Sequence, residues 1–138
     1  MIIRNDIVVV TNSINHAQIL LDKGINTIIT GGSIKKITNA NIGNMAVEQI
    51  NKLHFDKAFI GMNAFDDKFF TTPDIEEAAV KRAVIENSNQ TFILADCTKI
   101  GKIAFSKVIS IDKANIITNK NNNKMMNIIR KRTRVIEV

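Results

Sequence analysis

Five short stretches hold the residue types that could do chemistry: Thr11-Asn12-Ser13, Thr30-Gly31-Gly32-Ser33, Gly61-Met62-Asn63, Asp96-Cys97-Thr98-Lys99 and Thr118-Asn119. Each follows an apolar run. Lys99 is a point charge suited to a phosphate or carboxylate. Asp96 can accept sugar hydroxyls or orient Lys99. Gly31 and Gly32 have no Cβ, so their backbone N–H groups can approach an oxygen closely. Asn12 and Ser13 stand where a helix is expected to open, and its free N–H groups and dipole favour an anion. The combination points to an anionic, hydroxyl-rich ligand.

Each stretch also has a plainer reading. Thr11-Asn12-Ser13 can be a helix cap, Gly31-Gly32 a turn, and Asp96 a cap on its own loop with Lys99 in solvent. Glu77 and Lys81 have the favourable i,i+4 order of an ordinary surface pair. Cys97 can be a small buried side chain. Phe65, Phe69 and Phe70 are expected to pack under a loop. The joint placement of the polar stretches on one rim is what distinguishes a ligand site from a set of turns.

That placement depends on the elements. Ile7–Thr11, rich in β-branched residues, reads as a strand buried on both faces. Ser13 caps a helix reaching about Lys23, and Gly24 stops it. Asn26–Thr30 is a second strand, Ile42–Leu53 a helix with Ile42, Met45, Ala46, Ile50 and Leu53 on one face, and Asp56–Gly61 a third strand. Thr72 as cap, Pro73 in the first helical position, and Asp74 and Glu76 at the positive end start a helix that runs to about Asn87. Thr91–Asp96, Val108–Ile111 and Asn115–Thr118 are further strands. Lys124–Arg130 is a helix, and Thr133–Val138 alternates like an edge strand. Gly31–Asn41 and Met62–Thr72 read as long, functional loops. Strand–helix alternation predicts the α/β class: an open, mostly parallel sheet with helices on both faces. Ligands bind such sheets at the carboxyl ends of the strands, where the five polar stretches fall.

The composition bounds the alternatives. The chain has 138 residues, enough for one domain over 1–138. Its single cysteine, Cys97, cannot form an intrachain disulfide, and His16 and His54 fall in no ligand-spaced cluster, so no metal site is expected. GxxxxGK[ST], GxGxxG and GxSxG are missing, so no nucleotide cofactor or serine-hydrolase chemistry is expected. No apolar run is long enough for a membrane span, and Met1–Asp6 has no signal-peptide core, so the expected location is cytoplasmic. The net charge of +6 is uneven: residues 120–134 hold six basic residues and no acidic one. That segment reads either as a surface for phosphate backbones or as a solvated helix face running into an edge strand. The lack of interleaved aromatic residues favours the second.

The ordered set Val9–Ser13 (VVTNS), Thr30–Ser33 (TGGS), Asp56–Phe65 (DKAFIGMNAF), Glu76–Ser88, Ile93–Phe105 (ILADCTKIGKIAF) and Ile116–Asn119 (IITN) resembles the C-terminal sensor domain of DeoR-type bacterial repressors over roughly Ile7 to Val138. The resemblance implies a Rossmann-like fold related to ribose-5-phosphate isomerase, glucosamine-6-phosphate deaminase and CoA transferases. It implies a phosphorylated-sugar effector held at the strand-end rim by Thr11, Asn12, Ser13, Gly31, Gly32, Gly61, Glu77, Lys81, Asp96 and Lys99. It further implies a homo-oligomer that reaches DNA only through a helix-turn-helix outside this sequence. The chain departs from the family pattern in having no upstream first strand with its Asp-x-Gly-Thr/Ser-Thr phosphate loop, Cys97 in place of a serine, and Asn119 in place of an aspartate. Three functions follow as expectations: a non-enzymatic sugar-phosphate sensor of a transcriptional regulator; an isomerase- or deaminase-like enzyme using Asp96 with Lys99 or Glu77 with Lys81; and an oligomerisation module without ligand.

Overall fold

The computed structural model describes residues 6–138, so most of the N-terminal stretch considered for a signal peptide lies outside it. The chain divides into two compact units, Met1–Lys52 and Leu53–Val138.

In the first unit, β1 (Val8–Thr11) pairs in parallel with β2 (Asn26–Ile29), Val8 opposite Asn26 and Thr11 opposite Ile29. Helix α1 (Ile14–Asp22) joins them. Ser13 caps it as expected, its hydroxyl accepting the His16 N–H. Gly24, at φ +71°, takes the left-handed conformation that ends a helix. The reading of β1 as buried on both faces is corrected, because Val8 is 56% exposed. The expected loop over Gly31–Asn41 is instead largely a hairpin, β3 (Ser33–Lys35) antiparallel to β4 (Ala40–Ile42). Helix α2 (Asn44–Asn51) follows and buries Ala46 and Ile50.

The second unit is built on a four-stranded all-parallel sheet. Its order is β11 (Val135–Glu137), β10 (Asn115–Thr118), β8 (Ser88–Leu94), β5 (Phe55–Gly61). The register places Ile60 beside Ile93, Ile93 beside Ile116, and Ile116 beside Val135. The final strand lies on the sheet edge, as its alternating pattern predicts. The period of two turns Ala58, Ile60, Ile93 and Ile116 into one core. Helices α3 (Ile75–Glu86) and α4 (Met125–Ile129) both feed that core, through Ala78, Ile85, Met126 and Ile129. Phe59 and Phe92 stack at 5.3 Å on the opposite face, where Phe59 is 64% exposed. The helices of this unit therefore cover one face of its sheet, rather than the two expected.

The expected loop over Met62–Thr72 forms part of a second, antiparallel sheet. Here β6 (Ala64–Phe65) pairs with β7 (Phe69–Thr72), and β7 with β9 (Ser106–Ser110). Phe65 and Phe70 pack as expected, fully buried with ring centroids 6.0 Å apart. Phe69 lies under the Lys107 ammonium, 4.4 Å from the ring centroid. Arg82 on α3 ties the sheet down, its Nε donating to the Val108 carbonyl at 2.9 Å. The cap of α3 is Asp74, whose carboxylate accepts the Glu76 and Glu77 N–H groups. Thr72 is instead the last residue of β7, and Pro73 precedes the cap.

Candidate functional site

Parallel pairing decides which loops share an edge. In the first unit, the carboxyl ends of β1 and β2 lie side by side and carry Thr11-Asn12-Ser13 and Thr30-Gly31-Gly32. The Thr30 N–H donates to the Thr11 carbonyl at 3.0 Å. The Thr11 hydroxyl accepts the Ser13 N–H at 3.1 Å. Asn12 donates through Nδ2 to the Asn41 carbonyl at 3.1 Å, and its own carbonyl accepts the Asn41 N–H at 2.7 Å. Asn41, which no sequence pattern singles out, is buried in the hairpin and donates its amide to the Thr30 carbonyl. Thr30 Oγ1 and Asn41 Oδ1 are buried without a hydrogen-bond partner. Buried polar atoms left in this way call for a water or ligand atom.

Gly31 and Gly32 serve different ends. The Gly31 N–H donates to the Gln49 side-chain oxygen at 2.6 Å, so that donor is already engaged by protein. Gln49 is exposed on α2 and lies within a polar helix pattern that gives no signal of this contact. Gly32 has φ +119°, and a Cβ there would sit well inside contact distance of the Ile42 carbonyl oxygen. Only glycine fits that corner without strain.

In the second unit, β5, β8 and β10 also end on one edge, Gly61 beside Leu94 and Leu94 beside Ile117. Beyond them lie Met62-Asn63, Asp96–Lys99 and Thr118-Asn119. Lys81 on α3 reaches this edge and donates through Nζ to the Gly61 carbonyl at 2.6 Å. Burial lowers its pKa, and the Glu77 carboxylate one turn earlier partly offsets that. Gly61 and Lys81 are thus joined directly, and the Glu77–Lys81 pair is more than the surface pair its spacing suggests.

Asp96 caps the 3-10 turn Cys97–Lys99. The Thr98 hydroxyl and then the Thr98 N–H, both donating to its carboxylate, hold Asp96 below the ordinary carboxylate range. Lys99 and Lys102 lower it further, but Lys99 makes no ion pair with it. The plainer reading of Asp96 as a cap on its own loop is what these contacts show. Asn119 bridges β10 to this turn: Oδ1 accepts the Cys97 N–H at 2.7 Å, and Nδ2 donates to Cys97 Sγ at 3.2 Å. Thr118 Oγ1 is buried and unpartnered. Asn63 accepts the Thr72 hydroxyl of β7 at 2.6 Å; it lies in the polar Gly61-Met62-Asn63 stretch but not among the ten residues the resemblance singles out.

The ten residues that the resemblance proposes for the site therefore divide between the two units. Thr11, Asn12, Ser13, Gly31 and Gly32 belong to the first unit, and Gly61, Glu77, Lys81, Asp96 and Lys99 to the second. Among the described residues, no group of His, Cys, Asp and Glu could hold a metal.

Residues 1–120 match the family model for the DeoR C terminal sensor domain. The chain is 40% identical over 114 residues to the HTH-type transcriptional regulator FruR of Bacillus subtilis (82% of this chain, 45% of that protein). It is 33% identical over 113 residues to the HTH-type transcriptional repressor GlcR of the same species (81% and 44%). A lactose phosphotransferase system repressor of Staphylococcus epidermidis is 29% identical over 117 residues (83% and 47%). The chain thus spans less than half the length of each of these relatives.

Proposed function

Since the chain belongs to the family of DeoR C-terminal sensor domains, we propose that residues 1–138 act as the effector-sensing domain of a sugar-phosphate-responsive transcriptional repressor. The observation that carries this reading is the placement of polar groups at the carboxyl ends of the parallel strands in each unit. There Asn12, Gly31, Gly61, Lys81, Asp96 and Lys99 supply donors, a cation and a hydroxyl acceptor. Lys99, which forms no ion pair among the described residues, is the cation for a phosphate. The buried, unpartnered oxygens of Thr30, Asn41 and Thr118 are acceptors for ligand or water hydrogens. Gln49 on the Gly31 N–H occupies the place of a ligand oxygen, which would displace it.

The proposal includes a Rossmann-like architecture of the isomerase and CoA-transferase kind, a cytoplasmic location and a homo-oligomeric state. The parallel strands support the first. For the second, no helix among the described residues is long and apolar enough to cross a membrane. The names of the relatives support regulation over catalysis: each is a transcriptional regulator or repressor. The ligand would act by population shift, favouring one arrangement of protomers and, through it, one setting of the DNA-binding part of the full-length regulator.

Thermal melting against a panel of pentose and hexose phosphates tests this. A phosphosugar at about 100 times its Kd stabilises the fold by about 2.7 kcal/mol, and the shift saturates. Lys99→Ala weakens the response without lowering the melting temperature of the free protein. No shift with any phosphosugar would favour an oligomerisation module, and turnover of ribose-5-phosphate or glucosamine-6-phosphate would favour an enzyme.

A further inference from the structure

The steepest charge asymmetry in the molecule lies on the crossover from β10 to β11. Residues 120–134 contain Lys120, Lys124, Arg130, Lys131, Arg132 and Arg134 and no acid, and all six are exposed. Folding sorts them into two groups. Arg130 is ion-paired with Glu137. Arg132 donates to the Asp67 carbonyl at 2.7 Å and has Asp112 within electrostatic reach. Lys120, Lys124, Lys131 and Arg134 form no ion pair with any described residue.

The unpaired four are spread along the crossover. Met126 and Ile129 are buried, which turns the i, i+3, i+4 and i+7 set of Lys124, Asn127, Ile128 and Lys131 outward. Because β10 and β11 are parallel, the connection returns from the carboxyl end of one to the amino end of the other. Lys120 and Arg134 therefore stand at opposite ends of the crossover with the two lysines between them. Four strand residues at about 3.3 Å each make the stripe roughly 10–13 Å long.

We propose that this stripe binds the phosphate backbone of double-stranded DNA without reading its sequence. Duplex DNA carries one charge per about 1.7 Å of axis with both strands counted, so a length of duplex equal to the stripe holds on the order of six phosphates, of which one side of the helix presents about half. The amide side chains of Asn122 and Asn127, exposed between the cations, suit phosphate oxygens. The lack of aromatic residues in the segment, which on sequence favoured a solvated face, counts only against stacking on unpaired bases and leaves contact with duplex phosphates open to the cations. Met126 and Ile129 of α4 are buried in the core and leave Ile128 as the exposed apolar side chain of the helix, too little apolar surface to enter a membrane. Apart from Lys120, the stripe lies beyond the family match, which ends at residue 120, and the inference does not depend on the sugar-phosphate reading.

Fluorescence anisotropy with a labelled duplex of about 20 base pairs and arbitrary sequence, titrated between about 50 and 200 mM salt, tests it. The combined variant Lys120→Gln, Lys124→Gln, Lys131→Gln, Arg134→Gln should lower the slope of log K against log salt by up to about 3.6, and Lys124→Gln with Lys131→Gln by up to about 1.8. A control losing the same charge elsewhere, Lys36→Gln, Lys52→Gln, Lys57→Gln, Lys68→Gln, should stay within about one unit of the parent slope. Thermal melting verifies that each variant is folded. The inference is overturned if the parent shows no salt-dependent binding or if the control loses as much slope as the stripe variants. Tighter binding to single-stranded DNA or to phosphatidylcholine–phosphatidylserine vesicles would also overturn it.

Discussion

Lys81 has exchanged much of its hydration for one carbonyl, that of Gly61, with Glu77 as the nearest counter-charge. Burial puts its folded-state pKa below the ordinary 10.5. The folded protein therefore binds this proton less tightly than the unfolded chain. The resulting cost is fully present below the folded pKa and is relieved as pH rises toward 10.5. Lys81→Met should accordingly flatten the gain in stability on the alkaline side, read as the urea midpoint measured from neutral pH upward. Gly32 is a different kind of requirement, set by backbone geometry. With φ +119° and the Ile42 carbonyl against the missing Cβ, Gly32→Ala should cost at least about 1–3 kcal/mol. At about 2–4 °C per kcal/mol, calorimetry would show a melting temperature several degrees lower.

At the scale of elements, burial separates positions that composition treats alike. Phe70 on β7 is fully buried against Phe65, whereas Phe59 on β5 stacks on Phe92 and is 64% exposed. Phe70→Ala should destabilise by about 3–5 kcal/mol, through lost transfer energy and a cavity. Phe59→Ala should cost well under half of that, and denaturant midpoints compare the two directly. Both phenylalanines lie in apolar stretches of sequence, and only pairing with β9 or with β8 distinguishes them. The cap of α3 shows the same limit at finer grain. Thr72, Pro73 and Asp74 all carry start signals. The pairing of Thr72 with Ser106 across β7 and β9 draws Thr72 into a strand and leaves the cap to Asp74.

For the whole molecule, charge is the property that follows most directly from composition. The net charge is +6 and the isoelectric point about 9.6. Solubility should pass through its minimum near that pH, where self-repulsion vanishes. Removing Lys120, Lys124, Lys131 and Arg134 leaves +2, from +6 less four, and should move the minimum toward neutrality. Turbidity against pH checks this. The division into two compact units, Met1–Lys52 and Leu53–Val138, has no counterpart in a linker or a shift of composition. The second unit carries the large core, from Ala58 to Ile129. A phosphosugar that engages either rim should raise the stability of the unit it binds by linkage.

Sequence alone settled the features that depend on near neighbours. The α1 cap at Ser13, the stop at Gly24, the strands ending at Thr11, Gly61 and Thr118, and the edge position of the last strand are all written in short-range pattern, because caps and periodicity act within a few residues. The parallel sheet and the polar character of its strand ends were legible for the same reason. Tertiary structure alone decided what pairs across distance. It made most of Gly31–Asn41 a hairpin and Phe69–Thr72 the central strand of a three-stranded antiparallel sheet. It set Asn41 between β1 and β2, gave the Gly31 N–H to Gln49 and seated Lys81 on Gly61. The last three contacts join residues 18 to 29 positions apart, and no local propensity encodes a partner at that separation.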